Sequence, residues 1–279
     1  MCELFALSSR APAAITLSLE AFSQHGGLTG PHKDGWGIAF AADGDARVIK
    51  DTDCASASPW VRFLEDHPIE SHLVIAHIRR ATAGELALKN TQPFIRELGG
   101  RLHVFAHNGH VPGVMNAPDL PLGRFRPIGE TDSEYAFCSL LARLEALWLA
   151  ATVPSLDSRL AIVGNFAQEL RQLGPANFLY GDGDVLFVHS DRRRQGDGLV
   201  APPGLHLLHR ECVEGEPLET SGLRIKTPSQ LVVLAASVPL TEEPWRPLAR
   251  GEVIALRNGQ IVVPPTPEFG SGPGGRDAF

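Results

Sequence analysis

The chain opens with a short apolar run and then changes to helical spacing. "ELFALSS", directly after Cys2, predicts an extended strand. In the next stretch, "APAAITLSLEAFSQHGG", apolar residues recur at three and four positions and two glycines follow. This predicts a helix that starts near Pro12, because proline suits a first helical turn and glycine suits a helix end.

Further along, "DGWGIAFAADGDARVIKD" predicts two strands joined by an Asp-Gly turn. "SHLVIAHIRRAT" and "RLHVFAHNGH" also predict strands, but their apolar residues do not alternate cleanly with polar ones. Such runs are typical of strands covered on both faces. After residue 175 four more stretches predict strands: "NFLYGDGDVLFVHSD", "GLHLLHR", "SQLVVLAAS" and "GEVIALRNGQIVV".

Three segments predict further helices: "SPWVRFLEDH", "TDSEYAFCSLLARLEALWLA" and residues 156–173. Thr131 and Glu134 have the spacing of a capping box at the start of the second. Along the chain, strands come first, helices follow in the middle, and strands return at the end. This order predicts an α+β fold, in which several strands are too apolar to have one face exposed to solvent. Its expected form is two mainly antiparallel sheets packed face to face with helices outside. A parallel nucleotide-binding sheet is disfavoured, since neither GxGxxG nor GxxxxGK[ST] occurs.

Composition narrows the class of protein. The chain has 43% apolar residues, 20% charged residues and a formal charge of −7, which argues against nucleic acid or an anionic membrane as partner. It lacks a secretory signal pattern, and no apolar run approaches about eighteen residues. The cysteines form no CxxC pair, so we expect a reduced, cytoplasmic protein. The last sixteen residues hold eight glycines and prolines, which predicts a disordered tail over 264–279 after one domain over 1–263.

Cys2 is the first candidate for chemistry. If Met1 is removed, the α-amine of Cys2, with an ordinary pKa of about 7.7–8.0, lies beside its own thiol and can act as a base. One residue would then hold nucleophile and base. The alternative is a buried small hydrophobe at the start of a strand.

Three other positions could bind an amino acid. Arg79 ends an apolar run and can grip a carboxylate, although a structural ion pair is the simpler interpretation of one arginine. Asn108-Gly109 can supply two oxyanion donors, or form a plain turn. Asp132, in the first turn of a helix, can bind an ammonium or simply stabilise the helix. Together with Cys2 they describe a site for glutamine.

The chain resembles the class II glutamine amidotransferases of the N-terminal-nucleophile superfamily, in their stand-alone, single-domain form. The motifs that carry the resemblance are "MCELFA", "DGWGIAF", "HIRRAT", "NTQPF", "HNG" and "ETDSE". The resemblance implies a four-layer αββα sandwich. It also implies roles for residues: Cys2 as nucleophile, Arg79 for the substrate carboxylate, Thr82 as a lining residue of the same pocket, Asn108 and Gly109 as oxyanion hole, and Asp132 for the substrate ammonium. Arg80 and His107 are further candidate substrate-binding residues.

Arg80 and Ala83 depart from well-known multidomain members, which carry an aromatic and a histidine there, on the acceptor side. The expected reaction is hydrolysis of the glutamine amide, with ammonia passing to a separate synthetase partner. Two alternatives stay open: an independent hydrolase of another γ-glutamyl amide, and a silent glutamine sensor. No cofactor is expected, and no metal, because His103, His107 and His110 lack further ligands. A homo-oligomer is compatible with the sequence. His32 and Asp34 are expected in a loop near Cys2.

Overall fold

The computed structural model describes residues 2–15, 33–81, 84–212, 219–220, 223–224 and 230–262 of the 279-residue chain. The expected tail over 264–279 and most of the first expected helix lie outside these residues. So does Thr82, one of the candidate substrate-binding residues.

The secondary structure is dominated by strands. The strands are β1 (Glu3–Ile15), β2 (Trp36–Ala42), β3 (Asp45–Asp51), β4 (Ile69–Ile78), β5 (Phe94–Leu98), β6 (Arg101–Gly109), β7 (Ala176–Gly181), β8 (Leu186–His189), β9 (Arg193–Arg194), β10 (Val200–Ala201), β11 (His206–Cys212), β12 (Glu219–Thr220), β13 (Leu223–Arg224), β14 (Gln230–Ala236), β15 (Arg246–Pro247), β16 (Val253–Arg257) and β17 (Gln260–Ile261). The α-helices are α1 (Pro59–Asp66), α2 (Asp132–Ala150) and α3 (Leu156–Leu170).

Within the described residues the strands form two large antiparallel sheets. The first has the order β15-β11-β14-β1-β4-β2-β3, with the β12–β13 pair attached to β1. The second has the order β17-β16-β8-β7-β6-β5. Strands β9 and β10 pair only with each other. β1 therefore lies in the middle of its sheet, which places the residue before it, Cys2, at the end of a well-supported strand.

β1 continues where the sequence predicted a helix. The helix expected to start near Pro12 is wrong over Pro12–Ile15, because the strand runs on to Ile15. The register of β1 against β4 shifts between Ser8 and Ala13, which marks a bulge, and Pro12 is exposed there. A bulge tolerates a proline because no ladder hydrogen bond is required of it. The side chain of Gln230 bonds both the backbone N–H (2.9 Å) and the carbonyl (2.7 Å) of Ala11 and so holds the bulge.

The other predicted elements are present. The β2–β3 hairpin turns at Asp43 and Gly44, whose φ angles of 54° and 81° are both positive, as a two-residue hairpin turn requires. Helix α2 begins behind Thr131, whose hydroxyl accepts the backbone N–H of Glu134 at 3.3 Å. Helix α3 ends at Leu170, one turn earlier than expected.

The inner core lies between the two sheets. Leu73 and Ile75 of β4 point into it, whereas Val74 and Ala76 point to the outer face. Both faces of β4 are thus buried, which is why its sequence lacks alternation. Across the interface the second sheet contributes residues such as Leu179.

Helices cover the outer faces. On the second sheet, Phe137 of α2 and Phe166 of α3 pack into one cluster with Phe105. On the first sheet, Val61 and Leu64 of α1 pack over the outer side chains of the strands. The layers are helix, sheet, sheet, helix, so the αββα architecture expected from the sequence is confirmed. No helix of the described residues is long and apolar enough to span a membrane.

Candidate active site

Cys2 lies where the end of β4 reaches the start of β1. Because Glu3 pairs with Ile78, the residues after β4 come beside Cys2. The backbone N–H of Arg80 donates to the Cys2 Sγ at 3.3 Å, and the thiol lies 3.4 Å from the Arg80 carbonyl oxygen. The thiol is therefore held in a defined place although it belongs to the second residue of the chain.

The surroundings of the thiol favour its protonated form. Burial raises the pKa of the Cys2 thiol. The Arg80 backbone amide, the positive amino terminus and the Arg79 guanidinium act in the opposite direction, and the Asp132 carboxylate raises the pKa further. At neutral pH the thiol consequently needs a base before it can attack.

The loop after β4 is fixed from the side of β2. The Asp34 carboxylate accepts the Ala81 N–H at 2.7 Å, and the Asp34 N–H donates to the Arg79 carbonyl at 3.3 Å. The Arg79 N–H in turn donates to the Gly35 carbonyl at 2.8 Å. Asp34 thus lies in a loop beside the residues that follow β4, whereas His32, expected in the same loop, lies outside the described residues.

The Arg79 guanidinium is buried beneath this loop. The residue is 3% exposed, and its two terminal nitrogens donate to the carbonyls of Glu85 (3.2 Å) and Gly84 (3.2 Å). These bonds orient the planar group while its charge acts on Cys2. The arrangement is suited to receiving a carboxylate.

Asn108 reaches the same place from the second sheet. It is the next-to-last residue of β6, and its side chain points between the sheets. Its Nδ2 donates to the Cys2 carbonyl and lies 3.4 Å from the Ser237 Oγ. A carboxamide donor thus stands directly against the backbone of the candidate nucleophile.

Gly109, the last residue of β6, occupies a position that only glycine fits. A Cβ atom there would lie 1.9 Å from the Pro175 carbonyl oxygen and 2.6 Å from the His107 Nε2. Gly109 directly follows Asn108 at the end of β6, and its position there depends on this close approach to the Pro175 backbone.

Asp132 opens helix α2 with a buried carboxylate. It is 7% exposed and accepts the N–H groups of Val111 (2.6 Å) and Ser133 (2.8 Å), while the His110 Nδ1 lies 3.8 Å away. The start of a helix favours a negative charge at this position. Acceptor capacity remains for a cationic ligand.

The structure separates two other candidates from the thiol. The His107 imidazole is buried on the helix side of β6, opposite to the Asn108 side chain, and its Nδ1 lies 2.9 Å from the Ser133 Oγ. Burial lowers the pKa of His107, Asp132 raises it and His110 lowers it. The Arg80 side chain is exposed, and only its backbone contacts the thiol.

Two residues that sequence reasoning left without a role support the site. The Gln92 side chain accepts the His107 N–H at 2.6 Å and donates to the His107 carbonyl at 3.1 Å. The β5–β6 pairing ends at Phe94 and Phe105, so the Gln92 side chain supplies the hydrogen bonds that β5 does not make to His107. Gln92 lies in the quoted "NTQPF", so a signal existed. Ser237, just after β14, belongs to no motif that pointed to it.

Among the described residues no group of three or more His, Cys, Asp or Glu side chains is arranged to hold a metal ion. The residues that the structure brings together supply a thiol, an amide donor and two opposite charges. These are the elements of a site for a zwitterionic amide.

Comparison with known families agrees with this geometry. The sequence model described as class II glutamine amidotransferases matches residues 1–271. The chain belongs to this family, and it is an enzyme of the kind that acts on the side-chain amide of glutamine.

Particular relatives are similar over nearly the whole chain. The Escherichia coli (strain K12) protein YafJ is 40% identical over 94% of this chain and all of its own length. The crystal structure of a protein described as a predicted glutamine amidotransferase from Pseudomonas aeruginosa PA01 has 33% identity, a TM-score of 0.68 and covers 94% of this chain and all of that one. The glutamine phosphoribosylpyrophosphate amidotransferase of B. subtilis, at 17% identity and a TM-score of 0.54, covers 94% of this chain but 48% of its own. That likeness shows a shared fold alone.

Proposed function

We propose that this chain hydrolyses the side-chain amide of glutamine through a thioester on Cys2, once Met1 has been removed. The observation that carries the proposal is the hydrogen bond from the Asn108 carboxamide to the Cys2 backbone carbonyl, in the residue whose thiol also feels the charges of Arg79 and Asp132. These groups come from four separate parts of the chain. A merely structural cysteine would not require them together.

The first step is attack on the amide. The freed α-amine of Cys2 takes the thiol proton, and the sulfur forms a bond to the side-chain carbonyl carbon of glutamine. The carbonyl electrons move to oxygen, and the resulting oxyanion is stabilised by the Asn108 Nδ2–H and the Gly109 N–H. A base is needed because burial keeps the thiol protonated.

Collapse of the tetrahedral intermediate breaks the C–N bond. The leaving nitrogen takes the proton from the protonated α-amine and departs as ammonia, which leaves a γ-glutamyl thioester. Water then attacks the thioester with the same amine as base. Glutamate leaves, and the proton returns to the sulfur.

Substrate orientation rests on opposite charges. Arg79 binds the α-carboxylate in a planar, two-bond contact, and Asp132 binds the α-ammonium. Thr82 is a further proposed substrate-binding residue. The ammonia released passes to a separate synthetase partner. The enzyme works in the cytoplasm, where cysteines stay reduced. Cys2, Cys54 and Cys138 are free thiols, which is consistent with this location.

The test is ammonia release from glutamine by the wild type, Cys2→Ala and the control Cys54→Ala, after intact mass shows that Met1 is absent. We expect activity in the wild type and the control and none in Cys2→Ala. Acid-quenched wild type should carry one glutamyl group on Cys2. Full activity of Cys2→Ala, or of protein that retains Met1, would overturn the mechanism.

Arg80 favours a second substrate class, larger γ-glutamyl amides. Its backbone N–H contacts the Cys2 thiol, and its side chain is exposed. Its charge can bind an acidic group on the leaving amine of a larger γ-glutamyl amide. If such amides are the true substrates, their kcat/KM exceeds that of glutamine, and Arg80→Ala removes this advantage without slowing glutamine hydrolysis. Equal loss on both substrates argues against it.

A further inference from the structure

The ladder between β1 and β14 ends in an uncommon way at Leu4 and Ser237. The Ser237 N–H donates to the Leu4 carbonyl at 3.0 Å, as expected for an antiparallel pair. The Leu4 N–H, however, donates to the Ser237 side-chain Oγ at 3.0 Å. In a regular pair the two residues exchange both backbone bonds. Here a hydroxyl replaces a carbonyl, two residues from the nucleophile.

The released carbonyl of Ser237 has another partner. The Arg193 Nη1 donates to it at 2.8 Å, and the Arg193 Nη2 lies 3.7 Å from the Glu3 Oε1. Ser237 is 1% exposed. The serine is therefore fixed at its N–H, its carbonyl and its hydroxyl, and its Oγ has one defined position.

That position is against the Asn108 carboxamide. The Asn108 Nδ2 carries two protons and has two neighbours in the described structure, the Cys2 carbonyl and the Ser237 Oγ at 3.4 Å. The Asn108 Oδ1 is buried without a hydrogen-bond partner among the described residues. The orientation of the carboxamide thus depends on two contacts, both made by the first sheet, although Asn108 belongs to the second.

We propose that Ser237 is a positioning residue for the oxyanion hole. This rests on the proposed function, in which Asn108 stabilises the oxyanion. In the free enzyme Ser237 holds the second Nδ2 proton by a long contact, and the Cys2 carbonyl holds the first. When the oxyanion forms, it shares this second proton with the Ser237 Oγ, so the contact that orients the carboxamide persists in the transition state and its loss lowers kcat. Ser237 itself forms no bond to the substrate.

The primary test is Ser237→Ala with glutamine as substrate. We expect kcat to fall about threefold to tenfold, the range that one neutral hydrogen bond supports, with KM unchanged. Ser237→Cys, which preserves shape but offers only a weak acceptor, should change kcat in the same direction. It also serves if the alanine variant folds poorly.

The matched control is Ser190→Ala. The Ser190 Oγ is likewise buried and accepts a backbone N–H, that of Leu205 at 3.1 Å, and in the described structure it forms no hydrogen bond with the Asn108 side chain. Its loss removes the same kind of bond, so we expect a similar change in thermal stability and an unchanged kcat. A kcat loss in Ser190→Ala equal to that in Ser237→Ala would overturn the positioning role.

Two readouts separate positioning from disorder of the first strand. Alkylation of Cys2 by iodoacetamide forms no oxyanion, so its rate should not change in Ser237→Ala. In an Asn108→Ala background, where kcat is lower by about 100-fold or more, the Ser237 substitution should have no further effect. The inference is overturned if alkylation of Cys2 is slower in Ser237→Ala. It is also overturned if the Ser237 substitution lowers kcat by the same factor in the wild type and in Asn108→Ala. An unchanged kcat in Asn108→Ala itself overturns the proposed oxyanion hole together with it.

Discussion

The thiol of Cys2, the proposed nucleophile, lies in surroundings that raise its pKa. Because burial is the largest cause and favours the neutral form, alkylation by iodoacetamide should increase with pH only above the ordinary thiol pKa of about 8.5. Glutamine hydrolysis should instead follow the α-amine and level off above about pH 8. The two pH profiles are measured on the same protein after Met1 removal. A common midpoint would show that the thiolate, not the amine-assisted thiol, is the reacting form.

Asp132 is expected to act on substrate binding rather than on the chemical step. Asp132→Asn removes the charge that would meet the α-ammonium, so KM for glutamine should rise about tenfold to 100-fold, with kcat changed much less. Asp157→Asn is the matched control, since Asp157 is the acidic residue in the first turn of α3 and is exposed. Steady-state kinetics of both variants check this. An equal KM in Asp132→Asn and the wild type would assign the carboxylate to the helix alone.

For single residues, the sequence indicated candidate site residues where the side chain has a distinct chemistry. Cys2, Asn108 and Asp132 could be singled out because thiol, amide and carboxylate carry distinct chemistry. Ser237 could not, because its part depends on which strand lies beside β1, and the bonded atoms of Leu4 and Ser237 are 233 positions apart in the chain. Pairing register over such a distance is decided by packing of the whole sheet.

Helix α2 presents Asp132 correctly only if its first turn is anchored. Thr131 caps the helix as predicted, but Glu134 does not complete the capping box. Its carboxylate instead accepts the N–H groups of Ile128 (3.1 Å) and Gly129 (2.7 Å) and pairs with Arg96. The spacing predicted the residues of the cap, while the actual partner of Glu134 comes from a loop and a strand that local sequence does not reveal.

This gives a prediction for the stability of the element. Glu134 is buried, so Glu134→Gln should lower the free energy of unfolding by about 2–4 kcal/mol, because Arg96 and one loop N–H lose their acceptor. Glu145→Gln on the same helix, which loses a pair with the half-exposed Arg124, should cost less than about 1 kcal/mol. Urea unfolding at pH 7 measures both. Similar losses in the two variants would contradict the anchoring role.

The candidate site is formed by residues of both sheets, and neither sheet contains all of them. Cys2 and Ser237 belong to the first sheet, and Asn108 to the second, so the distance from sulfur to oxyanion donor depends on how the sheets pack. The layered architecture was predictable, because apolar runs without alternation require cover on both faces. The strand over Pro12–Ile15 was not, since a proline at a bulge and a proline at a helix start look the same in sequence.

Packing between the sheets should therefore affect catalysis as well as stability. Leu179 lies in the inter-sheet core and pairs with Ala106 of β6, two residues before Asn108, whereas Leu64 belongs to α1 and packs on the outer face of the first sheet. Leu179→Ala and Leu64→Ala should each lower the free energy of unfolding by about 2–5 kcal/mol.

Only Leu179→Ala should also lower kcat, by about tenfold, because a small shift of β6 misplaces the oxyanion donor. The measurement is kcat at a temperature where both variants are fully folded, beside urea unfolding. If both variants keep the wild-type kcat, the site tolerates movement between the sheets. If both lose it equally, stability and not sheet packing sets the rate.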